Sequence, residues 1–133
     1  MTFPEFEDRV DEMLAEIPPA FLRGLQGVHT LPDLRADPRD PGTVQLGEYM
    51  DPGPESLLSG SNPFARHISL FYGSFAWLAA RDPWFDWDEE VWETLTHEIR
   101  HHIESLAGDV SLIQWDREQK EARERYRAHR GDR

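Results

Sequence analysis

The sequence predicts an α+β fold in which helices at both ends of the chain enclose a small mixed sheet. Apolar residues spaced three and four apart indicate a helix at the start, and this period returns after Asp86. Short runs of β-branched and aromatic residues fall between positions 28 and 75, separated by Pro and Gly. Helices on both sides of a block of strands are typical of α+β proteins. The length suits one domain over residues 1–133.

The first half of the chain begins with an amphipathic helix, predicted over residues 3–17 and ended by Pro18-Pro19. Pro19 is suited to open a second, short helix that runs to Leu25. A strand follows over residues 28–34, where Pro32 weakens the pairing.

The middle of the chain is rich in Pro and Gly. Residues 37–42 are predicted as a turn and residues 43–50 as a strand with partial alternation. A long loop of Pro, Gly and Ser follows over residues 51–63. The strongest strand candidate is 68–75, because it is rich in aromatic and β-branched residues, and a short helical turn is expected over 75–80.

Two helices are predicted in the second half. The first starts at Asp86 or Asp88, since Asp86 is followed three residues later by an acid that forms a capping-box-like pair. Gly108 is a natural stop for this helix. The last helix runs from Trp115 to His129, and its large apolar anchors are its first residue and Tyr126.

Composition narrows the classes of function. The chain has no Cys, so a metal must be bound by His and carboxylate side chains. Its formal net charge of -12 repels phosphate backbones, and we therefore expect no nucleic-acid partner. Residues 1–15 lack the basic and apolar regions of a secretory signal, and no apolar run approaches the roughly 18 residues of a membrane helix. We expect a cytoplasmic protein that does not bind membranes.

The C-terminal segment, residues 117–133, is a basic helical tail with seven Lys or Arg against four Asp or Glu. It follows a segment, residues 88–116, that has eight acids and Arg100 as its single base. This order suggests pairing within the chain or an acidic partner at the tail, while a solvated helix is the plainer interpretation.

The most informative motif is the run His97-Glu98-Ile99-Arg100-His101, which reads H-E-x-x-H. Two His four residues apart lie on one face of a helix, so both imidazoles are able to reach one metal ion. Glu98 lies at the edge of that face, where it can take a proton from a water on the metal. The motif predicts a metallohydrolase with zinc as its cofactor.

Helical phase divides this helix into two faces. At about 100° per residue, Glu93, His101 and Glu104 all fall within about 40° of His97. The opposite face is apolar apart from one histidine, and it comprises Val91, Trp92, Leu95, Ile99, His102, Ile103 and Leu106. We interpret the helix as the floor of a metal-binding cleft, with His102 in the core or supporting a ligand. A polar face that is simply solvated is the alternative.

The third metal ligand is open between two carboxylates, since catalytic zinc usually takes three protein ligands. Glu104 lies on the correct face, but seven residues, or about 10 Å of helical rise, separate it from His97. Asp109 follows Gly108, where a break in the helix lets the chain turn back toward the metal. Asp is also a common turn residue.

Three runs of the chain carry a likeness to a known family: Leu46-Gly47-x-Tyr49, Ile68 to Tyr72, and His97 to His102 closed by Gly108-Asp109. They resemble the small bacterial zincin-like metallopeptidases, or minimal zincins, and the likeness extends to Leu112. The resemblance implies a compact α+β zincin core, zinc held by His97 and His101, and Glu98 as base. The family pattern H-E-x-x-H-x-x-G-x-x-D has its Gly and Asp where this chain has Glu104 and Ala107.

We therefore predict a zinc-dependent metallopeptidase that acts on a peptide or protein substrate, with Glu98 as general base. An extended substrate is expected to pair with the edge of the strand at 68–75. Two alternatives remain open. The departures after His101 favour a catalytically silent metal-binding or protein-interaction module. The Trp-rich segment 77–92 favours a structural protein that forms a homodimer.

Overall fold

The computed structural model describes residues 1–51, 66–106 and 111–131. The predicted α+β architecture is confirmed. Its helices are α1 (Phe3–Glu16), a short 3-10 helix (Pro19–Leu22), α2 (Tyr72–Arg81), α3 (Trp87–Ser105) and α4 (Leu112–His129). Its strands are β1 (Gly27–Leu31), β2 (Ala36–Asp37), β3 (Asp40–Val44), β4 (Gly47–Met50) and β5 (His67–Phe71).

The main sheet has three strands in the order β1-β5-β4. β5 is parallel to β1, with Gly27 opposite His67, and antiparallel to β4, with Gly47 opposite Leu70. β2 and β3 form a separate antiparallel hairpin. β5 is therefore paired along both sides, whereas the outer edge of β4 pairs with no strand among the described residues.

The core lies between the main sheet and the helices. α1 and α3 each bury a stripe at helical spacing, and β5 contributes the sheet's central side chains. The buried apolar residues of these elements include Phe6, Val10, Met13, Ile68, Leu70, Val91, Leu95, Ile99 and Ile103. Each fully buried large side chain contributes about 1.5–3 kcal/mol of hydrophobic free energy, so this face of α3 is firmly attached. None of the described helices has the length and apolarity to cross a lipid bilayer.

Helices α1 and α3, which pack on the main sheet, both begin at side-chain caps. The backbone N–H of Glu5 donates to Oγ1 of Thr2 at 3.3 Å, and the Glu5 carboxylate accepts from the Thr2 N–H at 2.8 Å. At the start of α3, the Asp86 carboxylate accepts from the Glu89 N–H at 3.2 Å, as its position in the sequence predicts. Each cap satisfies N–H groups that have no partner within the helix.

The strongest predicted strand is shorter than expected. β5 ends at Phe71, and α2 begins at the next residue, three positions before the predicted helical turn. Gly73 permits this start, because a Cβ there would lie 2.7 Å from the carbonyl oxygens of Pro32 and Asp33. Strand propensity does not register a contact of this kind, since it comes from a distant part of the chain. β1 ends at Leu31, directly before Pro32.

The strand predicted over residues 43–50 is in fact two strands. β3 ends at Val44 and pairs with β2, while β4 begins at Gly47 and pairs with β5. Between them, the Leu46 carbonyl accepts from the Phe71 N–H at 2.9 Å. Only Gln45 and Leu46 separate the two strands, so a sequence pattern does not reveal that the chain passes from one sheet to the other. Most of the loop predicted over 51–63 lies outside the described residues.

The helix ends also differ from the predictions. α3 ends at Ser105, before Gly108, which lies outside the described residues. α4 begins three residues before Trp115, because Ser111 caps it by accepting from the Gln114 N–H at 3.3 Å. Trp115 and Tyr126 are buried, as predicted for its anchors.

The basic tail is paired within the chain, which is one of its two predicted roles. Arg123 and Arg127 both contact the Glu89 carboxylate at the start of α3. Two further contacts bind the tail to α1, at 3.3 Å between Arg125 Nε and Glu16 Oε2 and at 3.1 Å between Arg130 Nη1 and Glu12 Oε2. These pairs are partly exposed to solvent, so each contributes about 1 kcal/mol or less, and together they orient α4 against α1 and α3.

Candidate metal centre

The two His side chains of the H-E-x-x-H run face each other on the exposed side of α3. Their Nε2 atoms lie 3.0 Å apart, and their rings are nearly perpendicular, at 86°. Two imidazole nitrogens bound to one tetrahedral zinc at about 2.0–2.1 Å would stand about 3.3 Å apart. His97 and His101 therefore have close to the spacing that a shared ion requires.

Glu98 follows His97 in the sequence, and the residue is 8% exposed. Its carboxylate forms no hydrogen bond or ion pair with the described residues. Burial raises the pKa of this carboxyl; the adjacent His101 opposes the shift and Glu48 adds to it. A carboxylate with a raised pKa is a stronger base, which suits proton transfer near neutral pH.

His97 carries a shifted pKa in the other direction. Desolvation, reinforced by the neighbouring His101, lowers the pKa of this imidazole, while Glu104 opposes the shift. A lowered pKa favours the neutral ring, which is the form that binds a metal ion.

Strand β4 packs against α3 at two points, one on each side of Glu98 along the helix. At one end, a Cβ on Gly47 would lie 2.8 Å from Cγ2 of Thr94, so only glycine fits this approach. At the other end, the Tyr49 hydroxyl lies 2.9 Å from Oγ of Ser105. Glu98 lies between these two contact points along the helix.

His102 is fully buried, as its helical phase predicts. Its Nε2 lies 2.7 Å from the Arg23 carbonyl, which only accepts, so this nitrogen carries the hydrogen. Its Nδ1 then accepts from the Tyr49 hydroxyl at 3.0 Å. Burial lowers the pKa of this imidazole, and the neutral ring satisfies both partners.

Neither of the two residues predicted as third ligand is observed at the side of the two His that faces a shared ion. The nearest Glu104 oxygen lies 3.8 Å from Arg100 Nε and 4.0 Å from Nδ1 of His101, which is the ring nitrogen that does not face His97. Asp109 lies outside the described residues. Within residues 1–51, 66–106 and 111–131, no three His, Asp or Glu side chains approach closely enough to hold one ion. The structure thus brings together His97, Glu98 and His101, and the third ligand stays a prediction.

A surface groove runs over this centre between α3, β4 and the β2–β3 hairpin. Its two halves meet at Gln45, Gly47 and Glu98. The half beside His97 is also lined by Asp37, Val44, Leu46, Glu90, Glu93 and Thr94. The half beside His101 is also lined by Arg39, Glu48, Tyr49, Asp51, Glu104 and Ser105.

The strand that borders the groove is β4, and the prediction that substrate pairs with the strand at 68–75 is wrong. β5 occupies the centre of the sheet, so its backbone groups already pair with β1 and β4. Helical phase and strand propensity do not reveal the order of strands in a sheet. The signal that could have identified the border is the run Leu46-Gly47-x-Tyr49, because its Gly and Tyr make the two contacts with α3.

Comparison with known proteins gives a family-model match and matches among solved structures. A family model described as "Zincin-like metallopeptidase" matches residues 26–115, which contain the five strands of the described residues and the motif helix. A solved structure of a conserved hypothetical protein from Thermus thermophilus is 49% identical to this chain, covering 82% of this chain and 100% of that one, with a TM-score of 0.71. No curated protein shows a significant match.

Proposed function

The chain belongs to the zincin-like metallopeptidase family, and on this premise we propose that it is a zinc-dependent peptidase. His97 and His101 hold the ion, and Glu98 is the general base. The observation that carries the proposal is the 3.0 Å separation of the two Nε2 atoms beside a buried carboxylate that has no partner among the described residues. The Glu98 carboxylate lines the groove beside the two imidazoles and has no protein partner among the described residues, so it can accept a proton from a bound water, which supports a role in catalysis.

The donor set fits zinc. Imidazole nitrogens together with one carboxylate form a common catalytic zinc site, and the Cys-free chain offers no thiolate alternative. Glu104 pairs with Arg100 and faces the wrong nitrogen of His101. We therefore assign the third ligand to Asp109.

The chain's own residues account for the remaining parts of the reaction. A zinc ion held at this centre supplies a Lewis acid that polarises the scissile carbonyl and acidifies water. Glu98 accepts the proton of the attacking water and delivers it to the leaving amine, which its raised pKa favours. The outer edge of β4, which pairs with no described strand, binds the substrate backbone by strand addition, with the scissile bond above Glu98.

The test compares wild type with Glu98→Gln and His97→Ala for zinc content and for cleavage of a peptide library. We expect Glu98→Gln to retain zinc and lose hydrolysis, because the amide cannot accept the proton. His97→Ala should lose both. Glu121→Gln on the exposed face of α4 is the control for the charge change. A zinc-loaded wild type that cleaves no peptide in the library contradicts the proposal.

A second candidate is a metal-binding or protein-interaction module without turnover. It is favoured by the lack of a three-ligand cluster among the described residues. Such a module would gain thermal stability from zinc without cleaving peptides. Thermal unfolding with and without a chelator, run beside the library, separates the two candidates.

A further inference from the structure

We propose that the groove selects peptides with Lys or Arg on one side of the scissile bond, the side that lies beside His97. This inference rests on the proposed peptidase function. The feature that carries it is an acidic half-groove, which we define by Asp37, Glu90 and Glu93.

The three carboxylates of the acidic half-groove have no cationic partner among the described residues. Asp37 accepts a hydrogen bond from the backbone N–H of Arg39 at 2.8 Å, a neutral donor. No Lys or Arg among the described residues lines this half. Glu90 and Glu93 come from successive turns of α3 and Asp37 from the β2–β3 hairpin, so the three charges line the same half of the groove.

In the other half of the groove, basic side chains balance part of the negative charge. Arg35 Nη1 lies 3.3 Å from Oε2 of Glu48, and the Glu104 carboxylate lies 3.8 Å from Arg100. Arg39 also lines this half. Both halves contain carboxylates, but the half beside His97 is the more negative. Glu98 marks the boundary between the two halves.

Glu98 supplies an independent sign that the groove receives a ligand. It is 8% exposed, has no hydrogen bond or ion pair with the described residues, and lines both halves. Most of this side chain is buried, but its carboxylate oxygens reach the groove, where no protein group among the described residues contacts them and a ligand can.

The three charges of the acidic half-groove act together on a ligand. Carboxylates grouped on one side of a groove sum to a negative field that attracts a cation and weakens as salt rises. A Lys ammonium or Arg guanidinium that enters forms charge-assisted hydrogen bonds, whereas an acidic side chain is repelled. In a peptide paired with β4, the residues on one side of the scissile bond lie over the acidic half-groove and those on the other side lie over the other half. The preference for Lys or Arg is therefore expected on one side only.

The experiment measures binding by the Glu98→Gln protein, loaded with zinc, so that no turnover occurs. The ligands are fluorescein-labelled peptides that share one neutral sequence. In one set Lys, Gln or Glu stands on the N-terminal side of the peptide's centre, and in the second set it stands on the C-terminal side. Binding is measured by fluorescence anisotropy. Two triple variants, each losing three negative charges, are compared in this background. Asp37→Asn/Glu90→Gln/Glu93→Gln neutralises the acidic half-groove, and Glu118→Gln/Glu121→Gln/Glu124→Gln neutralises α4, where these acids also lack cationic partners among the described residues.

We expect the Lys peptide of one orientation to bind about tenfold more tightly than its Glu counterpart at low salt, with the difference shrinking as salt rises. The groove variant should lose this preference, and the α4 variant should keep it. Circular dichroism establishes that both triple variants are folded. Equal binding of the three peptides, an equal preference on both sides, or a preference that survives in the groove variant overturns the inference.

These outcomes are separable from failure of the proposed function. If zinc-loaded wild type cleaves nothing but Glu98→Gln still prefers Lys peptides through the acidic half-groove, the peptidase proposal fails and the preference stands. If wild type cleaves peptides without regard to charge, the peptidase stands and this inference fails.

Discussion

The hydroxyl oxygen of Tyr49 lies 3.0 Å from Nδ1 of His102, and this bond joins strand β4 to the motif helix. The opposite nitrogen of the ring donates to the Arg23 carbonyl, which follows the 3-10 helix. His102 is fully buried, so these contacts form where water does not compete. One imidazole therefore holds three segments of the chain in register with the metal centre.

Tyr49→Phe should destabilise the protein. The ring remains, but Nδ1 of His102 loses its donor while still buried, which costs about 1–3 kcal/mol. The measurement is the free energy of unfolding in urea, with Glu121→Gln as an exposed control expected to stay within about 0.5 kcal/mol of wild type. An unchanged unfolding midpoint in Tyr49→Phe would show that the bond does not contribute to stability.

Stability should fall in mild acid because of His102. Burial lowers the pKa of this imidazole in the folded protein below its unfolded value of about 6.5, so the unfolded chain binds more protons. The contribution is fully present above the unfolded pKa and is lost as pH falls through and below it.

The pH effect is checked by urea unfolding at pH 7.5 and pH 5.5. His102→Gln should have a shallower loss of stability between these values than wild type. Tyr49→Phe serves as the matched control, because it is also destabilised but retains the imidazole and so should retain much of the dependence. Equal slopes in wild type and His102→Gln would remove His102 as the source.

Gly47→Ala should push β4 away from the motif helix. Its Cβ would lie 2.8 Å from Cγ2 of Thr94 and 3.1 Å from Cδ2 of Leu70, closer than carbon atoms normally approach. Relieving this overlap costs about 1–3 kcal/mol.

A double-mutant cycle tests the origin of that cost. Thr94→Ser removes Cγ2 and keeps the hydroxyl that donates to the Glu90 carbonyl at 2.8 Å. In Gly47→Ala/Thr94→Ser we expect part of the lost stability to return, measured by thermal unfolding. Simple additivity of the two changes would place the strain at Leu70 or elsewhere.

The third metal ligand can be identified by zinc content. Asp109→Asn should lose zinc as His97→Ala does, since an amide is a much weaker ligand than a carboxylate. Glu104→Gln should retain zinc, because its carboxylate pairs with Arg100 and faces the outer nitrogen of His101. Elemental analysis of the purified variants decides between them, and loss of zinc in Glu104→Gln alone would reverse the assignment.

The parts that sequence analysis predicted well depend on local spacing. His97 and His101 meet because positions four apart share a helix face, and His102 is buried because its phase falls on the apolar side. The cap at Asp86 follows from residue type and position in the same way. These features are fixed within a few residues of chain, so no knowledge of the fold was needed.

The errors arise from contacts between distant residues. The run at 68–75 is the most strand-like in the chain, and for that reason it lies at the centre of the sheet instead of at the edge beside the groove. The early start of α2 depends on Gly73 meeting the carbonyl of Pro32, some forty residues earlier. Strand order and close backbone approaches are properties of the assembled fold, and periodicity carries no information about them.

The outer edge of β4 has a consequence for the behaviour of the protein at high concentration. This edge pairs with no strand in the part of the chain that the structure describes, and such an edge is a template on which a second copy can add, which leads to aggregates. Two copies joined through β4 would bring two sets of groove carboxylates together, in chains that each carry a formal charge of -12. We therefore expect repulsion between like copies to oppose self-pairing at this edge, and to oppose it less in acid, where carboxylates are protonated.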